Sequence, residues 1–215
     1  QSNLMHLSAS ERHWLPWSGP TGKLAMRWSC WLNRGVYPAV EQVFEGVAQS
    51  RVRILQNWVA SHWDHLADLA ANLGEAVGHV ASDVLEGKRA QLPDISELFV
   101  IDSQGRVLAS TCAAHVGQQD LDGRAVARGM SEPFLHGPYR DPLTQRLGAS
   151  TSRFHDAVTL MFYQPVHVGG KCLGCICARV PNDVIGDLIQ REAGHVYPES
   201  GDNYMFMVES RFDSS

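Results

Sequence analysis

The chain has 215 residues, 44% of them hydrophobic and 19% charged, with a formal net charge of −5. That is enough apolar material for one domain core and too little charge for a disordered chain. Its 18 Lys and Arg are scattered without a basic run, which leaves no electrostatic footprint for nucleic acid, and the sequence has no apolar run of the length needed to cross a bilayer.

In chain order, Gln1, Ser2 and Asn3 resemble the remnant of a cleaved tag. Residues 4–35 form a segment with Trp14, Trp17, Trp28 and Trp31 among Pro16, Gly19, Pro20 and Gly22. A loop followed by a short helix over Leu24–Leu32 is expected there. The stretch Gly19–Lys23 lacks both the first glycine and the hydroxyl after the lysine that a phosphate-binding loop requires. From Val36 to Leu73 the apolar positions recur at helical spacing, among them Val40, Val43, Phe44, Val47, Leu55, Trp58, Leu66 and Leu69. Pro38 fits the first turn of that helix and Gly74 its stop. A helix of this length runs past its own domain and packs on a neighbour, such as a twin helix in a homodimer. A shorter helix, Glu75–Leu85, should lead through Gly87 and Pro93 into the first strand.

The stretch LFVIDSQGRVLAST, residues 98–111, reads as two apolar strands about a tight turn, with Gly105 at the position that favours a positive backbone angle. A second pair follows: Leu160–Val166 turns through His167–Gly170 into Cys172–Val180. Between the pairs, residues 116–156 are rich in Gly, Pro, Arg and Asp and predict short helices and loops. Asn182–Glu192 reads as a capped helix and Tyr204–Val208 as one more strand.

Long helix, strand pair, variable middle, strand pair: this order resembles the Cache family of PAS-like sensor domains in chemoreceptors and sensor kinases. The patterns that carry the resemblance are the 98–111 stretch, DLDGR at 120–124, PYRDPLT at 138–144, MFYQPV at 161–166 and CLGCICARVPNDVIGDLI at 172–189. It covers residues 36–195 and implies an α+β fold: a five-to-six-stranded antiparallel sheet with a long N-terminal helix. It also implies that residues 196–215 begin a second module, and that the chain is the membrane-distal module of a receptor on the periplasmic or extracellular face. Membrane attachment would then come only through segments outside this chain.

Members of the family bind small metabolites and carry no catalytic chemistry, so the resemblance implies a sensor without a cofactor rather than an enzyme. Its amino-acid-binding members pair an arginine followed by aromatics with an aspartate at the end of the last pocket strand. Here Arg124 matches the arginine, but Ala125 and Val126 replace the aromatics, and Arg179 stands where the aspartate would. A cation there favours a carboxylate-bearing ligand, such as an organic acid. The expected ligand contacts are Arg124, Tyr139, Arg140, Asp141, Tyr163 and Arg179. Against them stands the reading of Arg140 and Asp141 as turn residues and of Tyr163 as packing.

The cysteines leave an alternative open. Cys172, Cys175 and Cys177 crowd one strand, Cys175 and Cys177 on one face and Cys172 on the other. With Cys112 they could serve a metal, haem or redox sensor on the same fold, or they could be small buried core residues. A ligand-free dimerisation module is a further alternative. No nucleophile elbow or zinc-protease motif is present.

Overall fold

The computed structural model describes residues 20–147 and 157–190. It opens with one helix, α1, over Pro20–Leu73. The separate short helix expected over 24–32 and the long one expected from Val36 are therefore one continuous element. Pro20 stands in the first turn, where its missing N–H has no helical partner to lose, whereas Pro38, expected in the first turn, lies in the interior of the helix and costs it a backbone hydrogen bond. Gly22 and Gly35 weaken a helix by only about 1 kcal/mol each. Gly74, at φ +47°, ends it. The single helix expected over Glu75–Leu85 is instead a 3₁₀ segment, Gly74–His79, followed by α2, Ser82–Arg89. Val80 and Ala81 are extended between them, so that Val77 and Leu85 are both buried.

The chain separates into two compact units, residues 1–53 and 54–215. In the first, Val43 and Phe44 of α1 are exposed. The second holds an antiparallel sheet of β1 (Glu97–Ile101), β2 (Val107–Ser110), β3 (Phe134–Arg140), β4 (Val158–Val168) and β5 (Lys171–Pro181), in the order β2-β1-β5-β4-β3. Between β2 and β3 lies α3, Gly123–Ser131, capped by Asp122, whose carboxylate accepts from the Ala125 N–H at 2.8 Å. Two short helices, α4 (Pro142–Leu147) and α5 (Asn182–Gln190), flank the last two strands. Residues 191–215, including the strand expected at Tyr204–Val208, lie outside the described residues.

The β1–β2 turn forms as the sequence predicts. Asp102 Oδ1 accepts from the N–H groups of Gln104 and Arg106, and Gly105 has φ +82°. The middle segment departs from expectation, because it also supplies β3. This edge strand contains Gly137 at φ +118°, a cis Gly137–Pro138 bond and a register shift between His136 and Tyr139. Proline lacks a donor for the sheet ladder and is tolerated at an edge.

The two-residue period of the strands divides the core into two layers. Leu98, Val100, Phe162, Ile176, Ala178 and Val180 face Leu66, Leu69 and Ala70 of α1. Phe99, Ile101, Met161, Tyr163, Cys175 and Cys177 form the other layer, covered by Ala125 and Val126 of α3. The helix reaches that layer because Gly129 has no side chain: a Cβ built there would lie 2.5 Å from the Cβ of Tyr163. Gly129→Ala should therefore destabilise the domain by about 1–3 kcal/mol through overpacking. Urea unfolding of the variant checks this, and an unchanged midpoint would mean that α3 does not rest on the sheet.

The faces of the cysteines also differ from expectation. β4 pairs Val166 with Gly174 but His167 with Cys172, so Leu173 is an extra residue in β5. That bulge resets the alternation. Leu173 packs towards the α1 layer, while the Cys172 sulfur lies 3.7 Å from Met130 Sδ of α3.

Candidate functional site

Glu97 opens β1, and the sheet register sets it opposite Arg179 near the end of β5. Both side chains are inaccessible to solvent, on the side of the sheet covered by α3. Charges so placed need partners. Arg179 Nε donates to Glu97 Oε2 at 2.9 Å, and Nη1 donates to Thr144 Oγ1 at 3.1 Å and to the Asp141 carboxylate. The other Glu97 oxygen accepts from Ser110 Oγ at 2.6 Å and from His115 Nδ1 at 2.6 Å. His115 Nε2 in turn lies 3.1 Å from Asp120 Oδ1. The result is a chain of polar groups, Asp120–His115–Glu97–Arg179–Asp141, that links four loops and strands inside the domain.

Three of these charges, Glu97, His115 and Arg179, are shifted by their neighbours. Burial pushes the Glu97 carboxyl up, but the His115 and Ser110 hydrogen bonds and the Arg179 charge outweigh it and hold it below the usual range. Burial pushes His115 down, and Glu97, then Asp120, more than reverse this. Arg179 is raised for the same reason, with Asp141 and Glu97 outweighing burial. Burial raises the Tyr163 and Tyr139 hydroxyls well above the ordinary tyrosine range, so both are neutral hydrogen-bonding groups.

The structure brings together part of the residue set expected from sequence. Arg179 and Asp141 are ion-paired, and the Tyr139 hydroxyl feels the charges of Arg179, Asp141 and Asp120. Tyr163 is fully buried, stacks on Phe134 at 6.2 Å, and its hydroxyl has no hydrogen-bond partner among the described residues. Arg124 stands apart, solvent-exposed in the first turn of α3, and Arg140 is exposed at the end of β3. Sequence reasoning missed Glu97 and Thr144, and placed His115 only among the loop histidines around the expected pocket. Glu97 carried a usable signal, because it is a charge immediately before the apolar run of β1. Only the strand register identifies its partner, 82 residues away.

An open groove of about 860 Å³ borders the network. It lies between α2 and the ends of β1 and β2, and is lined by Arg89, Ser96, Ser110, Cys112 and Leu147 among others. Ser110 is the residue common to the groove and the chain of charges.

No family model and no curated protein matches the sequence. Solved structures do match. The sensory domain of the Campylobacter jejuni chemoreceptor Tlp3 with isoleucine bound superposes with a TM-score of 0.55 at 11% identity, covering 74% of this chain and 66% of that one. Its complex with L-valine gives 0.55 at 12% identity, with the same coverage of 74% and 66%. An extracellular ligand-binding receptor from Desulfohalobium retbaense gives 0.54 at 15%, covering 69% of this chain and 26% of that one. The fold is that of a Cache-type sensor domain. The chain spans a quarter of the Desulfohalobium receptor and just under two thirds of the Tlp3 domain.

On this Cache fold the cysteine alternative finds no metal geometry, because among the described residues no group of three or more His, Cys, Asp or Glu is placed to hold a metal ion. Cys175 and Cys177 are buried free thiols of the α3 layer, and burial pushes the Cys177 thiol far up. The Cys177 thiol therefore stays protonated, which is the opposite of what a reactive or ligating cysteine needs.

Proposed function

We propose that this protein is the ligand-binding sensor domain of a chemoreceptor or sensor kinase, exposed outside the cytoplasm and without catalytic activity. Its ligand is a small carboxylate-bearing metabolite held at Arg179. The observation that supports this is the unequal standing of the two carboxylates on that guanidinium. Glu97 is on a central strand, with no side-chain exposure, whereas Asp141 follows an edge strand and is 18% exposed. Asp141 occupies the position a ligand carboxylate would take, and a ligand would exchange with it. The neutral Tyr139 and the unpartnered Tyr163 hydroxyl supply hydrogen bonds for the rest of the molecule. The exposed Val43 and Phe44 of α1 favour association of two copies through that helix.

A thermal-shift series with organic acids and amino acids tests the reading. Asp141→Asn removes the competing charge and should tighten a bound acid about 10-fold, equivalent to ~1.4 kcal/mol. Tyr163→Phe should remove the shift while leaving the unliganded domain as stable as before or more so, since it deletes a buried hydroxyl without a partner. If no carboxylate shifts either the wild type or Asp141→Asn at millimolar concentration, the carboxylate reading is wrong.

A further inference from the structure

One part of the polar chain is not used by ligand binding at Arg179. Both ring nitrogens of His115 face carboxylate oxygens, Glu97 Oε1 at 2.6 Å and Asp120 Oδ1 at 3.1 Å. Ionised carboxylates only accept, so both nitrogens must carry protons and the imidazole is a cation. The ring itself is sealed: its side chain is 1% exposed, with Phe99 edge-on at 4.9 Å. Asp120, by contrast, is 57% exposed.

The position of Asp120 gives this contact its reach. Residues 117 and 118 are fastened to Val107 by backbone hydrogen bonds and Gln119 to Gln104 by its side chain. Asp120 comes next, two residues before Asp122, the cap of α3. It therefore ties the approach to α3 to the sealed interior. We propose that His115 is a proton-operated latch: its imidazolium holds Asp120 and the start of α3 against the sheet, and its deprotonation lets them go.

The neighbours of His115 make the release one-sided. β1 presents Glu97 and the Phe99 ring, β2 the uncharged Ser110, and α3 the apolar Ala125 and Val126 of the adjoining layer. From β5, Arg179 acts across Glu97, with Asp141 beyond it. On losing one proton the ring keeps its shorter bond to the sealed Glu97, and the bare Nε2 lone pair then faces the Asp120 carboxylate. That exposed carboxylate is the one free to turn to water. The sign follows from the upward shift of His115: the latch is closed below the ordinary histidine range and opens as pH rises through the shifted value. The inference does not depend on any ligand.

Amide hydrogen exchange between pH 6 and 9, corrected for intrinsic rate, tests it on the unliganded protein. Protection of residues 120–126 should fall about tenfold or more in the wild type, while β1 and β5 keep theirs. In Asp120→Asn the amide can accept from Nε2–H or donate to bare Nε2, so protection there should be flat with pH. A wild-type profile that is flat, an Asp120→Asn profile that falls like the wild type, or equal loss in β1 and β5 would each overturn the latch. A His115 imidazole that titrates at the ordinary histidine value, read by its carbon shifts in NMR, would overturn it as well.

Discussion

Arg179→Met should lower the free energy of unfolding by about 3–5 kcal/mol, the cost of leaving a buried charge without its partner. Two carboxylates lose their cation at once. Asp141 can turn to solvent, but Glu97, enclosed between β1, β2 and β5, cannot, and it retains only Ser110 and His115. For a domain of this size the loss should appear as a fall in Tm of roughly 6–20 °C. Adding Glu97→Gln to Arg179→Met should recover a substantial part, because the stranded charge is then gone and the amide still accepts from Ser110. A double variant no more stable than the single one would mean that the arginine acts by filling space. The same network sets the acid limit of the wild type. Glu97 is held below the usual carboxylate range, so its contribution is complete above that range and is lost as pH falls through the lowered value.

Phe162→Ala should cost a similar amount, about 3–5 kcal/mol, through the cavity it leaves. Phe162 is fully buried on the α1 face of β4. Trp63 meets it edge-on at 4.8 Å, His62 stacks at 5.7 Å and Trp58 lies at 5.9 Å. These three α1 residues grip the sheet through one side chain, and Trp58 is fixed further by its Nε1 donating to Asp94 at 2.8 Å. Urea unfolding followed by tryptophan fluorescence should show both the lower midpoint and an altered native spectrum. Phe162→Leu should cost visibly less. Equal costs for the two variants would argue against the aromatic cluster as the clamp. Phe162 and Tyr163 are consecutive residues on opposite faces, so under the proposed function a shift of Tyr163 on ligand binding would reach the clamp on α1 directly.

What could be read from the sequence follows from how local each signal is. The pairs β1–β2 and β4–β5 are apolar runs joined by glycine turns, and both form where the pattern puts them. β3 was hidden because Phe134–Arg140 is only half-buried and carries Gly-Pro at its centre, features that describe an edge strand and a loop equally well. The bulge at Leu173 was invisible because alternation alone cannot report an extra residue; only the pairing to β4 does. Among site residues, Arg179 was legible through the family resemblance, as the charge standing where the last pocket strand would carry an aspartate. Glu97 and His115 were not, since their meaning comes from contacts across the sheet and around a turn.

The two outer strands of the sheet have a consequence for solubility. A free strand edge offers unpaired backbone groups to any passing chain, the usual route to aggregation. Here one outer strand, β2, is only four residues long, and the other, β3, is interrupted by Pro138 and a shift of register. Neither gives an incoming strand a straight run of donors and acceptors to copy. The features that made β3 hard to recognise thus guard the domain's flank.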